Sequence, residues 1–330
     1  MRWPTPRYIF ETLHPDIYHG SRGKRPFFEG WYFKVIDDTG DNAWAIIPGI
    51  FRDHQPQRDE AFVMVLDGRL NQVFYHRYPT SEFNAAKDSF NIRVGPNFFS
   101  TSYLTLNLPN LHGHLAFQSL TPWPVSWRAP GIMGWYSWFP MECYHGVLSM
   151  DHKVTGFLEN GEERHELTDG RGYIEKDWGR NFPQTWIWLQ ANLFNERGVS
   201  LTASIARIPF YGRVFPGFII GLFLDGRLFQ FTTYLGSTLE DVTLKDGKVR
   251  IVVRGKEGIL EINGRQGRTT PLHAPTPGQG MVPSVNESVD ALVRVRLIDK
   301  DGIILYQGES RQAGMEIVGD TSILTQQSTT

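Results

Sequence analysis

Trp186-Ile187-Trp188-Leu189-Gln190-Ala191-Asn192-Leu193-Phe194 alternates in character along its length. In an extended strand successive side chains point to opposite faces. Ile187, Leu189, Ala191 and Leu193 then share one face and read as ordinary core, whereas Trp186, Trp188, Gln190, Asn192 and Phe194 share the other. The second face mixes large aromatics with two amides. That composition suits the lining of a ligand cavity, mostly apolar with a few convergent polar groups, or a packed face whose amides bond to backbone.

Segments of the same kind recur at 31–36, 61–66, 103–108, 218–224, 249–253 and 291–297, each rich in Val, Ile, Phe, Tyr or Trp. Between them stand Asp67-Gly68, Asn160-Gly161, Asp169-Gly170, Asp225-Gly226, Asp246-Gly247, Asn263-Gly264 and Asp301-Gly302, the dipeptides that favour tight hairpin turns. Apolar residues repeat with no sustained helical period, and only residues 81–88 suit a short helix. The Pro- and Gly-rich stretch 271–283 reads as a long loop. The fold class is all-β, built of antiparallel barrels or a sandwich. An internal echo, Pro26-Phe27-Phe28-Glu29-Gly30-Trp31 against Phe182-Pro183-Gln184-Thr185-Trp186, points to two similar β-barrel halves, set here at residues 1–165 and 166–330.

Composition narrows the function. With 33 Lys+Arg against 35 Asp+Glu in 330 residues, and no basic run, the chain has no electrostatic footprint for nucleic acid. The single cysteine, Cys143, forms no internal disulfide and fits a reducing cytoplasm. The start, Met1-Arg2-Trp3-Pro4, lacks an apolar leader, and the apolar run 214–224 is too short to span a bilayer. What stands out is 10 Trp, 12 Tyr and 22 Phe in a charge-balanced chain, which suits a neutral, hydrophobic ligand. The aromatic segment 123–139 reads either as internal packing or as an interfacial lip touching a membrane peripherally. Oligomeric state is not legible.

Alternation also places the acids. Glu29, Trp31 and Phe33 fall on one face of a strand, with Gly30, Tyr32 and Lys34 on the other; Glu175 and Asp177 share a face opposite Lys176, next to Trp178. Two such carboxylates either push their pKa values apart, making one a general acid, or stand solvated beside a turn. His112 and His114 share a face without a third ligand at diagnostic spacing, so no metal is expected. Gly170-Arg171-Gly172 lacks the remaining glycine of a dinucleotide loop, and no organic cofactor is expected. Cys143, with His145 two positions on, reads as a buried, inert thiol.

At Phe27-Phe28-Glu29-Gly30-Trp31-Tyr32-Phe33-Lys34 and again at Gly172-Tyr173-Ile174-Glu175-Lys176-Asp177-Trp178-Gly179-Arg180-Asn181-Phe182-Pro183, the sequence resembles the tocopherol cyclase family. The resemblance continues through residues 186–192, 271–276 and 314–319. It implies two lipocalin-like barrel halves, an architecture shared with carotenoid hydratases and Diels-Alder cyclases. It further implies closure of a chromanol ring on a prenylated hydroquinone, with protonation of the prenyl alkene and addition of the phenol oxygen. Glu175, Asp177 or Glu29 would supply the proton, and burial would keep it in place by raising the carboxyl pKa. Trp31, Phe33, Trp178, Trp186 and Trp188 would shelter the cation, with Lys176, Gln190 and Asn192 binding polar groups. The competing readings are a non-catalytic carrier of an isoprenoid or quinone, and a related alkene hydratase.

Overall fold

The computed structural model describes residues 5–161, 163–210 and 212–324; residues 1–4, which carry the reading of the chain's start, lie outside them. Among the described residues the regular structure is one α-helix, α1 (Pro6–Leu13), a few short 3-10 turns and otherwise β-strands, joined by loops. α1 starts where the Thr5 hydroxyl accepts a hydrogen bond from the Tyr8 amide at 3.2 Å, with Pro6 in the first turn. Among the described residues no helix is long and apolar enough to cross a membrane.

The first sheet comprises β1 (Phe27–Ile36), β2 (Ala43–Arg52), β3 (Glu60–Asp67), β4 (Gln72–Tyr78), β5 (Phe83–Ala85), β6 (Asn91–Val94), β7 (Asn97–Ser100), β8 (Tyr103–Leu108), β9 (Leu111–Gln118), β10 (Cys143–Asn160) and β11 (Glu163–Gly179). Its order is β4-β3-β2-β1-β11-β10-β9-β8-β7-β6-β5, and it curls until β3 packs against β6. Alternate residues fill the interior, among them Trp31, Phe33, Val35, Trp44, Val63 and Ile174.

The second sheet comprises β12 (Trp186–Ala191), β13 (Val199–Phe210), β14 (Arg213–Leu224), β15 (Arg227–Thr232), β16 (Thr238–Lys245), β17 (Lys248–Gly255), β18 (Gly258–Arg265), β19 (Thr270–Thr276), β20 (Gly280–Ile298) and β21 (Ile304–Val318). Its order is β15-β14-β13-β12-β21-β20-β18-β17-β16, with β19 on β20. β15 packs against β17, enclosing a core that includes Ile187, Leu189, Ala191, Ile251 and Met315. The two orders match strand for strand around their first members, so β1 and β12, the two halves of the sequence echo, are topological equivalents.

The fold is therefore all-β, with two antiparallel lipocalin-like barrels. The chain divides into two compact units, Met1–Asp67 with Val73–Phe182 and His273–Pro283, and Gly68–Gln72 with Pro183–Leu272 and Ser284–Thr330. The joint expected at 165/166 falls inside β11, whose pairing with β1 runs on to Gly179.

Three local expectations differ from the structure. Residues 81–88 hold a 3-10 turn and the short strand β5 rather than a helix, because Phe83, Asn84 and Ala85 pair with β6. The stretch 271–283 is not a loop: β19 and the start of β20 run through it. Two Gly dipeptides are not turns, since Gly170 lies within β11 and Gly264 within β18. A Cβ on Gly170 would stand 2.8 Å from the Ile36 carbonyl oxygen, so glycine here serves close strand approach. Gly170→Ala is expected to lower unfolding free energy by about 1–3 kcal/mol in urea titrations, because a paired carbonyl cannot move aside.

Candidate functional site

The functional geometry starts from one register. β11 pairs antiparallel with β1, setting Glu29 opposite Trp178, Trp31 opposite Lys176, Gly30 opposite Asp177 and Tyr32 opposite Glu175. Alternation then separates two sets: Glu29, Trp31, Phe33, Lys176 and Trp178 on the barrel's inner face, and Gly30, Tyr32, Glu175 and Asp177 on the outer face.

The inner set is a buried ion pair. Glu29 and Lys176 are both fully buried, with Lys176 Nζ 2.5 Å from Glu29 Oε1. The ammonium also donates to the Ile17 carbonyl and stands 3.0 Å from His19 Nδ1. The carboxylate accepts from the His19 amide at 2.9 Å. Two indoles flank the cation, their ring centres 4.8 Å (Trp31) and 4.6 Å (Trp178) from Nζ, and His19 stacks on Trp178 at 4.4 Å. Burial alone would raise the Glu29 carboxyl, but the charge of Lys176, followed by His19, outweighs it and holds the group below its ordinary value. Burial lowers the Lys176 ammonium against the attraction of Glu29, and lowers the His19 imidazole together with repulsion from Lys176. Glu29 is thus an ionised partner rather than a stored proton, contrary to the expectation that its burial would raise it. The π faces of Trp31 and Trp178 are turned to Lys176, and Phe33 packs into the aromatic core beside Phe90, Phe99 and Phe117.

The outer set is a proton-bearing chain. β10 brings His145 opposite Asp177. His145 Nδ1 lies 2.9 Å from Asp177 Oδ1, and its Nε2 lies 3.6 Å from Glu175 Oε2. The Tyr173 hydroxyl donates to that same Glu175 oxygen at 2.5 Å. Burial opposes charge on His145, yet Asp177 and then Glu175 overcome it and push the imidazole up to about 9, so it is an imidazolium at neutral pH. Cys143 Sγ lies 3.9 Å from Asp177 Oδ1, and burial pushes its thiol well above the ordinary value, as an inert cysteine requires. His145 Nε2 is buried with no acceptor at hydrogen-bond distance.

Donor atoms of His145, Glu175 and Asp177 all lie within 4.8 Å of one another, a spacing a divalent cation can bridge. An imidazolium offers no lone pair, however, so a metal would first have to displace a proton held well above neutral pH. His112 and His114 do share a face of β9, but both are exposed, and His114 Nδ1 lies 3.2 Å from the Thr105 hydroxyl.

On the second unit, Trp186, Trp188 and Gln190 share the face of β12 opposite its core residues, and Asn192 follows the strand; all four are buried. Trp186 Nε1 donates to Glu316 Oε2 at 2.6 Å. In the segment 123–139, Trp123 is buried, whereas Trp127 sits 62% exposed at the tip of a turn closed between Ser126 and Ala129.

Sequence reasoning singled out Glu175 and Asp177 and their shared face. It passed over His19 and Tyr173, and took His145 only as a neighbour of Cys143. Alternation alone puts Tyr173 on the Glu175 face and His145 on the Cys143 face. What it does not contain is the β10–β11 register that joins them.

A family model described as tocopherol cyclase-like matches residues 110–319. The chain is 25% identical to the chloroplastic tocopherol cyclase of Zea mays over 379 aligned positions, covering 96% of this chain and 80% of that protein. Among solved structures, CghA with Sch210972 is similar at a TM-score of 0.61 and 12% identity, covering 89% of each chain. Kievitone hydratase from Nectria haematococca follows at 0.52 and 10%, covering 92% of this chain and 94% of that one. At these identities the structural likeness concerns the fold.

Two measurements check the electrostatics. Lys176→Met leaves Glu29 buried without its cation and is expected to cost about 3–5 kcal/mol in urea unfolding. Adding Glu29→Gln should recover more than half of that loss. For His145 the folded pKa of about 9 exceeds the ordinary 6.5. Its charge therefore stabilises the fold fully below pH 6.5, and that contribution is lost as pH rises through 9. The unfolding midpoint should fall across that window in the native chain and stay flatter in His145→Gln.

Proposed function

The chain belongs to the tocopherol cyclase-like family, and from that membership and the outer-face proton chain we propose that it closes a chromanol ring on a prenylated hydroquinone. Family membership supports an enzyme of cyclase type. The finer reading rests on one observation, the grouping of buried Tyr173 and Glu175 with the partly exposed His145 and Asp177.

Ring closure is an isomerisation: the alkene gains a proton at its less substituted carbon, the phenol oxygen bonds to the more substituted carbon, and the phenol proton leaves. One proton is given and one is taken. The Tyr173–Glu175 and His145–Asp177 hydrogen bonds put a proton donor and a proton acceptor on the same face. With His145 charged and both carboxylates ionised, the set would carry a net charge of −1, and burial favours one further proton. In this reading Glu175, whose side chain is 6% exposed, holds that proton and gives it to the alkene, while Asp177, 26% exposed, takes the phenol proton. Asp177 then releases the phenol proton to solvent and Glu175 regains one before the next turnover, while His145 keeps both of its protons and holds Asp177 in place. Tyr173 orients Glu175 by occupying one carboxyl oxygen.

A carrier needs no such set, and a hydratase would admit water to the cation; the burial of Glu175 supports neither. The test is incubation with a prenylated hydroquinone, following the chromanol by mass and UV spectrum. Glu175→Gln should lower kcat about 10²–10⁴-fold while ligand binding and unfolding midpoint stay close to native, and chelator should leave turnover unchanged. Undiminished turnover in Glu175→Gln would overturn the assignment; tight binding with no chromanol from the native chain would leave the carrier.

A further inference from the structure

The outer face of the first sheet carries two adjacent glycines beside Asp177. One cross-strand row runs His145, Asp177, Gly30, Gly49 and Phe62, each opposite the next on β10, β11, β1, β2 and β3. At about 4.8 Å between neighbouring strands, the backbones of Asp177 and Phe62 stand about 14 Å apart. The two residues between them have no side chain.

The glycines are not equivalent. At Gly49 an added Cβ would lie 2.4 Å from Phe62 Cζ, so the phenyl ring already covers that position. Behind Phe62 stands Tyr75, stacked at 5.5 Å and fixed by its hydroxyl to Glu60 at 2.6 Å, so the ring cannot swing away freely. At Gly30 an added Cβ would meet nothing closer than Ile47 Cγ2 and the Pro48 carbonyl oxygen, both at 3.8 Å. Gly30 is also the one residue of β1 that is not buried. Gly30 is therefore half-buried with room for an added methyl group in ordinary contact, with a carboxylate on one side of it in the row and an aromatic ring on the other.

We propose that the slot over Gly30 seats the aromatic ring of a phenolic ligand, flat on the strand, with a hydroxyl toward Asp177 and its ring carbons toward Phe62. The glycine is required by the guest and not by the fold: its backbone is not in the left-handed region, and the protein has room for a methyl group. A side chain here removes space that belongs to the ligand. The identity of the ring as a hydroquinone rests on the ring closure proposed above, whereas the slot itself does not.

Gly30→Ala and Gly30→Val separate the two roles. Both should fold with unfolding midpoints at or above the native value, since glycine is the weaker strand former. Trimethylhydroquinone, a ring without a prenyl tail, kept reduced under anaerobic conditions and titrated by calorimetry, should bind the native chain, about tenfold more weakly Gly30→Ala, and not measurably Gly30→Val. With a prenylated quinol, KM should rise in the same order, and more for a ring-methylated substrate than for an unmethylated one. Native-like ring binding by Gly30→Val, or no ring binding by the native chain, overturns the slot. Ring binding that Gly30→Val abolishes, with no chromanol from any form, upholds the slot and overturns the ring closure instead.

Discussion

The buried pair between Lys176 and Glu29 is the constraint on which the rest of the site depends. Neither charge is tolerable inside the barrel without the other, and the attraction is completed only when the Ile17 carbonyl and His19 are also in place. The pair thereby joins three segments that are far apart in the chain: the turn after α1, β1 and β11. Because alternate residues of a strand face opposite ways, holding Lys176 inward obliges Glu175 and Asp177 to face outward. A one-residue slip of β11 would put both acids into the core and Lys176 outside.

That division of labour separates two kinds of carboxylate. Glu29, with a cation in contact and two indoles around it, is held ionised and serves the fold. Glu175 and Asp177 meet an imidazole that they themselves keep charged, and Tyr173 adds a donor. The second arrangement can gain or lose a proton without exposing an isolated charge, which is the property an acid–base step needs. In the reading proposed above, the glycine row would supply the place for a substrate ring beside those groups.

Much of the fold was legible because the signals were local. Strand segments such as 31–36 and 249–253, the Asp-Gly and Asn-Gly turns at 225–226 and 246–247, and the alternation in β12 all act over a few residues. Where local chemistry has two uses, the reading failed: Gly170 and Gly264 look like turn residues but answer a steric demand from a neighbouring strand. Pro271 and Pro283 look like loop punctuation but sit in or beside edge pairings that tolerate a missing amide.

The sequence by itself determined the class, the faces and the candidate acids: Glu175 and Asp177 share a side of their strand whatever they pack against, because side-chain direction is a property of the extended backbone. Only the tertiary structure decided what each acid is. Glu29 and Glu175 are the same residue type, both buried, both in aromatic surroundings. One lies against Lys176 and the other reaches His145 and Tyr173. Charge state follows from which partner comes within a few ångströms, and strand pairing between distant segments sets that distance.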